Sequence, residues 1–236
     1  MNYSVKNSLR PLALVASVAL MLLFAIEMNS QQLQKGISVE MAPTTNASPM
    51  PAADKLNAWI VTVTADGQLW FGTNPVSRDD LVAEMIRTPR NRDQDLYIKA
   101  DARAPYADVA SALKAAHTAR FDAPILLTAQ RVSTQPGTMV APRGLEVWIG
   151  SEAASDRNPV LVEIASAKPD SPTLRINGQA IFWNNVQTAM EQLFHGRTEK
   201  IVLLRTDGTV PFSQAAHVID ACHSAGAKVV LPTPEI

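Results

Sequence analysis

The chain has 236 residues, 47% of them apolar and 18% charged, and a formal net charge of −1 at pH 7. That length and apolar content suffice for one large core or two small ones, and the near-neutral charge excludes a nucleic-acid binder held by phosphate contacts. The single cysteine, Cys222, excludes an intramolecular disulfide, and ten glycines and sixteen prolines are ordinary for a folded chain.

The first predicted element is a membrane segment. Residues 1–10 carry Lys6 and Arg10 and read as a short cytoplasmic N-terminus, and PLALVASVALMLLFAI from Pro11 to Ile26 then runs without a charge up to Glu27. A spanning helix wants about 20 apolar residues. A helix over 11–28 therefore spans the bilayer with Arg10 snorkelling to one interface and Glu27 lying at the other. A cleavable signal peptide shares the basic start and the apolar run, but no small-x-small cleavage site follows that run. Cations before the segment keep the N-terminus inside and send everything after Glu27 outside.

From residue 36 onward one order of elements occurs twice. GISVEM (Gly36 to Met41) and GLEVWI (Gly144 to Ile149) predict short strands, each followed by a polar loop, Thr44 to Lys55 and Ser151 to Asn158. AWIVTVT (Ala58 to Thr64) matches VLVEIA (Val160 to Ala165), and QLWF (Gln68 to Phe71) matches TLRI (Thr173 to Ile176). A helix follows in each. In the first, Ser77 with Asp80 forms a capping box and Leu81, Met85 and Ile86 mark an apolar face; in the second, Val186, Met190 and Leu193 mark the face and Gly196 stops the helix. LYIKA (Leu96 to Ala100) and IVLLR (Ile201 to Arg205) are the next strands.

The closest match comes after them. IKADARAPYADVASALKAAH (Ile98 to His117) aligns without a gap on LRTDGTVPFSQAAHVIDACH (Leu204 to His223), so Asp101 meets Asp207, Pro105 meets Pro211, Tyr106 meets Phe212 and His117 meets His223. Both stretches predict a turn and a helix, with Tyr106, Val109, Ala110 and Leu113 facing inward in one and Phe212, Ala215, Ala216 and Ile219 in the other. PILLT (Pro124 to Thr128) and KVVLP (Lys228 to Pro232) are the last strands. The fold class is thus α/β, of the α+β type: a membrane helix, then two tandem β-β-β-α-β-α-β domains over 36–130 and 144–236, joined by a linker at 131–143. One merged sheet is the alternative arrangement.

The residue types argue against catalysis. Asp101 and Asp207 end strands, where α/β sheets place functional groups, yet an Asp there also satisfies backbone N–H groups of the following turn, with Pro105 and Pro211 opening the helices. His117 and His223 fall near helix ends, suited to the terminal carbonyls. His217, Cys222 and His223 are spaced by five and six residues from His217, which does not bring all three to one helix face for a metal. There is no HExxH, CxxC, P-loop or GxSxG. Trp59, Trp70, Trp148 and Trp183 suggest a sugar-stacking surface, but three of them lie in predicted strands and suit sheet packing. No enzyme, metal or cofactor is expected.

The order of these pieces carries a resemblance. A short basic start, one membrane helix, GISVEMAP, a Pro-rich stretch, VTVTADGQLWFGTNPVSRDDL and LYIKADARAPYADVASALKAAH together resemble the ExbD/TolR family of biopolymer-transport subunits over residues 1 to 130, and 144 to 236 looks like the same periplasmic domain without its helix. The resemblance implies a single-pass inner-membrane protein with periplasmic domains, use of the proton-motive force, and an ExbB/TolQ-like polytopic partner. It also implies pairing with a second ExbD/TolR-like subunit, and an outer partner that is a TonB/TolA-like protein or peptidoglycan. Family members carry a membrane Asp three residues after a Pro, held to take part in proton flow. Here that run is Pro11, Leu12, Ala13, Leu14, so Leu14 occupies the proton-relay position. Glu27 lies 13 residues further on, about 20 Å along a helix, and cannot replace the acid. A rival reading therefore stays open: a membrane-tethered periplasmic module that binds peptidoglycan or an envelope protein, with no motor role.

Overall fold

The computed structural model describes residues 36–89, 94–130, 142–150, 158–166 and 172–232. The expected membrane segment at 11–28, with Leu14 and Glu27, and most of the expected linker lie outside the described residues. Among the described residues no helix is long and apolar enough to cross a membrane.

The first half contains β1 (Pro43–Thr44), β2 (Ser48–Pro49), a 3-10 turn (Pro51–Asp54), β3 (Trp59–Val63), β4 (Leu69–Phe71), β5 (Asn74–Val76), α1 (Arg78–Arg87), β6 (Leu96–Ala100), α2 (Tyr106–Thr118) and β7 (Ile125–Gln130). The second contains β8 (Arg143–Glu146), β9 (Trp148–Gly150), β10 (Val160–Ser166), β11 (Pro172–Ile176), β12 (Gln179–Ile181), a 3-10 turn (Trp183–Asn185), α3 (Val186–Phe194), β13 (Ile201–Thr206), α4 (Phe212–Ser224) and β14 (Lys228–Pro232). The fold is mixed α/β, with two sheets and four α-helices among the described residues.

The first sheet runs β2-β8-β7-β6-β3-β4-β5, with β1 also paired to β7; the second runs β12-β11-β10-β13-β14-β9. In each, three strands separated by helical crossovers are parallel, β3-β6-β7 and β10-β13-β14, and an antiparallel hairpin extends one edge. All five residues of β3 and all five of β6 are buried, the pattern of strands covered on both faces.

Helix α1 starts where its capping box indicates: Ser77 Oγ accepts from Asp80 N at 3.1 Å. Leu81 and Met85 are buried as expected, but Ile86 is 68% exposed, because the buried stripe is narrower than the apolar count suggests. In α3, Val186 and Met190 are buried as expected, but the third buried residue is Phe194 and Leu193 is only half-buried; Gly196 follows with φ 74°, the left-handed geometry that ends helices.

Two strand expectations differ from the structure. Gly36 to Met41 forms no strand; Met41 alone makes an isolated bridge to Asp101, and the strands of this region are the two-residue β1, which overlaps the start of the expected loop, and β2 inside it. Gly144 to Ile149 is not one strand but two. Arg143–Glu146 runs antiparallel to β7 in the first sheet, and Trp148–Gly150 runs parallel to β14 in the second. At the crossing, Val147 N donates to Pro124 O and Ile149 N to Asp122 O. Gly144 is required for the first pairing, since a Cβ there would stand 2.4 Å from Ile125 Cγ2. The short hairpin strands β5 and β12 carry too few residues, one of them Pro75, to show a period in the sequence.

The inner faces of both sheets share one continuous apolar core. It includes Val61, Ile98 and Leu126 of the first half and Val162, Leu204 and Val229 of the second, with Val109 and Leu113 of α2 and Ala216 and Ile219 of α4. A smaller cluster lies on the other face of the first sheet, where Met41, Met50, Ala52 and Ala53 cover Ile60, Tyr97, Ile125 and Leu127. Lys99, two residues beyond Tyr97 and so on the same face, is buried there; burial holds its ammonium below the usual lysine range, and Asp54 offsets part of that shift.

Candidate functional site

The two stretches that match best in sequence meet at one place. Pro105 and Pro211 form an antiparallel bridge, each in extended geometry just ahead of its helix, at φ −57° and −59°. On either side the backbone bonds come in reciprocal pairs. Tyr106 N donates to Val210 O at 2.8 Å and Phe212 N to Ala104 O at 2.8 Å; Ala107 N donates to Gly208 O at 3.0 Å and Ser213 N to Ala102 O at 2.9 Å. Each bond maps onto its counterpart by a shift of 106 positions. The first N–H groups of a helix have no partner within the helix. Here each helix has its leading donors satisfied by the loop in front of the other, so neither start is complete alone.

Tyr106 and Phe212 sit beneath this crossing, both buried. Their placement follows from the register: each is the first residue of its helix and packs back into the shared core. Burial pushes the Tyr106 phenol above its ordinary range, with the neighbouring Thr206 acting in the opposite sense.

Asp101 and Asp207 set up the two loops. Asp101 N donates to Val63 O and Asp207 N to Ile164 O, both at 2.8 Å, and the carbonyls accept from Ala104 N and Val210 N, both at 3.1 Å. The side chains diverge. Asp101 Oδ1 accepts from Arg103 N at 3.0 Å and Nε at 2.9 Å, and its Oδ2 from Arg103 Nη2 at 3.1 Å and Glu40 N at 3.2 Å. Asp207 Oδ1 accepts from Thr209 N at 2.9 Å and Thr209 Oγ1 at 2.8 Å. The bonds from Arg103 N and from Thr209 are turn-forming ones, whereas the Arg103 guanidinium forms an ion pair and Glu40 N reaches Asp101 from a distant segment.

Both carboxyls are held below the ordinary value of 3.8, Asp101 chiefly by the Arg103 guanidinium and Asp207 chiefly by the Thr209 N–H. A carboxylate lowered by folding contributes stability that is complete above its unfolded pKa and is lost as pH falls through the folded one. Thermal unfolding of the detergent-solubilised chain should therefore be insensitive to these two groups above roughly pH 5 and lose their contribution below roughly pH 4. Asp101→Asn should flatten the acid limb of the curve. An acid limb identical to wild type would show that Asp101 is not lowered.

The histidines lie at the far ends of their helices, away from the proline crossing. Neither ring makes the expected contact with its own helix's terminal carbonyls: His117 Nδ1 is 2.9 Å from Asp122 Oδ1, and His223 Nε2 is 2.9 Å from Glu146 O in β8. The carbonyls of Ala115 and His117 are already taken by Ala119 N and Arg120 N. His217 instead lies beside Trp183, with the rings tilted at 39° and their centroids 6.3 Å apart. Among the described residues no group of three or more His, Cys, Asp or Glu is arranged to hold a metal ion. The tryptophans do not share one surface. Trp59 is in the core against Phe71 and Phe121, Trp148 carries the Lys228 ammonium 3.3 Å from its ring centre, and Trp183 donates to Pro172 O.

Another contact was not read from the sequence. Asp220, in α4, accepts from Thr45 N and Thr45 Oγ1 through Oδ2, both at 2.9 Å, and from Asn46 N through Oδ1 at 2.7 Å, and Asn46 Nδ2 donates back to Asp220 O at 3.2 Å. A second-half helix thus holds the first-half loop between β1 and β2. The available signal was an acid inside the apolar run VIDAC, Val218 to Cys222, where only a paired carboxylate can be buried.

These features define a mixed α/β protein whose two halves are joined face to face through interlocked helix starts. The sequence profile of the biopolymer transport protein ExbD/TolR family matches residues 8–131, which is more than half of the chain. The chain belongs to the ExbD/TolR family. Comparisons with curated proteins and with solved structures return no match.

Proposed function

We propose that this protein is an inner-membrane-anchored subunit of a proton-motive-force-driven transport complex, with both halves periplasmic. The observation that carries the reading is the family match over residues 8–131, because it runs continuously from the apolar segment through the first half. In this reading residues 11–28 anchor the chain with its N-terminus in the cytoplasm, an ExbB/TolQ-like polytopic protein surrounds the anchor, and a TonB/TolA-like protein or peptidoglycan receives the force. The two halves are tandem versions of one periplasmic domain, so the second takes the place of a partner subunit and is present at about millimolar effective concentration. The reciprocal bonds around Pro105 and Pro211 support that pairing.

Leu14 gives the proton path a different character from the family pattern. A carboxylate in the bilayer is retained for function, and an apolar side chain at its position cannot carry a proton. That observation favours the second reading, a tethered binding module for peptidoglycan or an envelope protein. Purification from membranes in mild detergent separates the two. A polytopic partner in defined stoichiometry is expected for the transport subunit; an anchored chain that purifies without one would overturn it. A reporter fused after Ile236 should be active only outside the cytoplasm.

A further inference from the structure

The outer face of the first sheet, away from the shared core, carries a row of polar groups that lacks an acid. Thr62 of β3 is in register with Trp70 of β4 on one side and with Lys99 of β6 on the other, which puts the three side chains next to one another on one face. Thr62 and Lys99 are covered, at 0% and 1% exposure, and both Trp70 Nε1 and Thr62 Oγ1 are buried without a hydrogen-bond partner among the described residues. The Lys99 ammonium makes no ion pair among the described residues, and Asp54 acts on it through charge alone. The row therefore offers an indole N–H, a hydroxyl and an ammonium, with no anionic acceptor among them. Buried polar groups left in that state are costly.

The second half shows what completes such a row. Val63 O accepts from Asp101 N and Ile164 O from Asp207 N, so Thr62 corresponds to Glu163, Lys99 to Arg205 and Trp70 to Arg175. There the central residue is a carboxylate in register with a cation on each side, and Arg205 Nη1 lies 3.8 Å from Glu163 Oε1. The first half keeps donors on both flanks but has a hydroxyl where the acid stands.

The residue over Thr62 is a glycine. A Cβ on Gly36 would stand 3.0 Å from Thr62 Oγ1, 3.5 Å from Ile60 Cγ2 and 3.6 Å from Gly72 O, so the chain passes the row without adding a side chain to it. Ile60 and Gly72 also line an open cleft of about 630 Å³, together with the amides of Asn57, Asn74 and Gln94. Gly36 thus sits at the boundary between cleft and row. Ile60 and Thr62 are two residues apart on one strand face, about 7 Å, which a ligand of two or three residues spans.

We infer that Trp70, Thr62 and Lys99 form a binding site for a carboxylate, reached from this cleft when the chain at Gly36 moves aside. The bound carboxylate takes the place that Glu163 fills in the second half, its oxygens accepting from Lys99 Nζ, Trp70 Nε1 and Thr62 Oγ1. Two sources share that chemistry: a small free carboxylic acid, and an acidic side chain of a peptide whose backbone lies against the cleft amides. The inference goes beyond the transport reading and does not depend on it, since a chain that purifies without a polytopic partner would keep the site.

The indole N–H resonances of the detergent-solubilised full chain test it, with Trp70→Phe identifying the Trp70 signal. Titration with a terminally blocked Ala-Glu-Ala tripeptide should move the Trp70 Nε1–H signal downfield and saturably while the Trp148 signal stays in place; the Ala-Gln-Ala tripeptide should leave both unchanged. Propionate separates the sources: a saturable response to it supports a small acid as sufficient, and a response to the acidic tripeptide alone supports a peptide. Lys99→Met should weaken binding at least about tenfold, because a charged donor is lost. Thr62→Glu supplies the acid within the chain, so its Trp70 signal should already lie at the bound position and no longer respond. The inference is overturned by a wild-type chain that shows no saturable shift with either carboxylate, by an equal response to Ala-Gln-Ala, or by Lys99→Met or Thr62→Glu binding as the wild type does.

Discussion

Phe212→Ala is expected to destabilise the protein by about 3–5 kcal/mol, the range for truncating a buried aromatic side chain. Phe212 has no measurable exposure, sits in the continuous core, and is the first residue of α4. Its backbone N–H also donates across the halves to Ala104 O, so a cavity here loosens the fold where the two helix starts depend on each other. Chemical unfolding of the detergent-solubilised chain, followed by tryptophan fluorescence, measures the effect. Ile86→Ala provides the contrast, since Ile86 is mostly exposed and its loss should stay within about 0.5 kcal/mol. Equal effects of the two substitutions would contradict the burial of Phe212.

Asp220→Ala should cost about 2–4 kcal/mol and act at a distance in sequence. Hydrogen bonds to a charged group contribute roughly 1.5–3 kcal/mol each, and those here share one carboxylate, so their loss is less than additive. The donors released, Thr45 N and Asn46 N, belong to the loop between β1 and β2, some 175 positions earlier in the chain. Hydrogen exchange at those two amides should accelerate in the variant while the amides of β10 stay protected. Asp220→Asn keeps acceptor capacity on one oxygen and should fall between wild type and Ala. Unchanged exchange at Thr45 and Asn46 in Asp220→Ala would show that the loop is held by something else.

Where the sequence was legible, a local period or a local turn carried the information. The existence of β3 and β6 follows from their apolar and β-branched residues, although the burial of Thr62 and Lys99 within them does not. The start of α1 follows from Ser77 and Asp80, and the helix starts after Pro105 and Pro211 follow from proline chemistry. The site was legible in part for the same reason: aligning Asp101 on Asp207 and Tyr106 on Phe212 picked out the residues that meet at the crossing, because both turns use the same local bonds.

What the sequence by itself determined is this set of elements, their order in each half and the family they resemble. Only the tertiary structure decided how the halves share them. GLEVWI reads as one strand because nothing in a six-residue apolar alternation marks a change of sheet; the break at Val147 comes from the first sheet accepting β8 on β7 while the second accepts β9 on β14. Gly36 to Met41 has the same local pattern but makes only the bridge at Met41, since strand pairing depends on an available edge and not on the segment alone. Asp220 holding Thr45 and Asn46, and the Pro105 to Pro211 bridge, depend on contacts between residues far apart in the chain. Their energies come from burial and from donors and acceptors brought together only when both sheets are in place, so no local pattern could encode them.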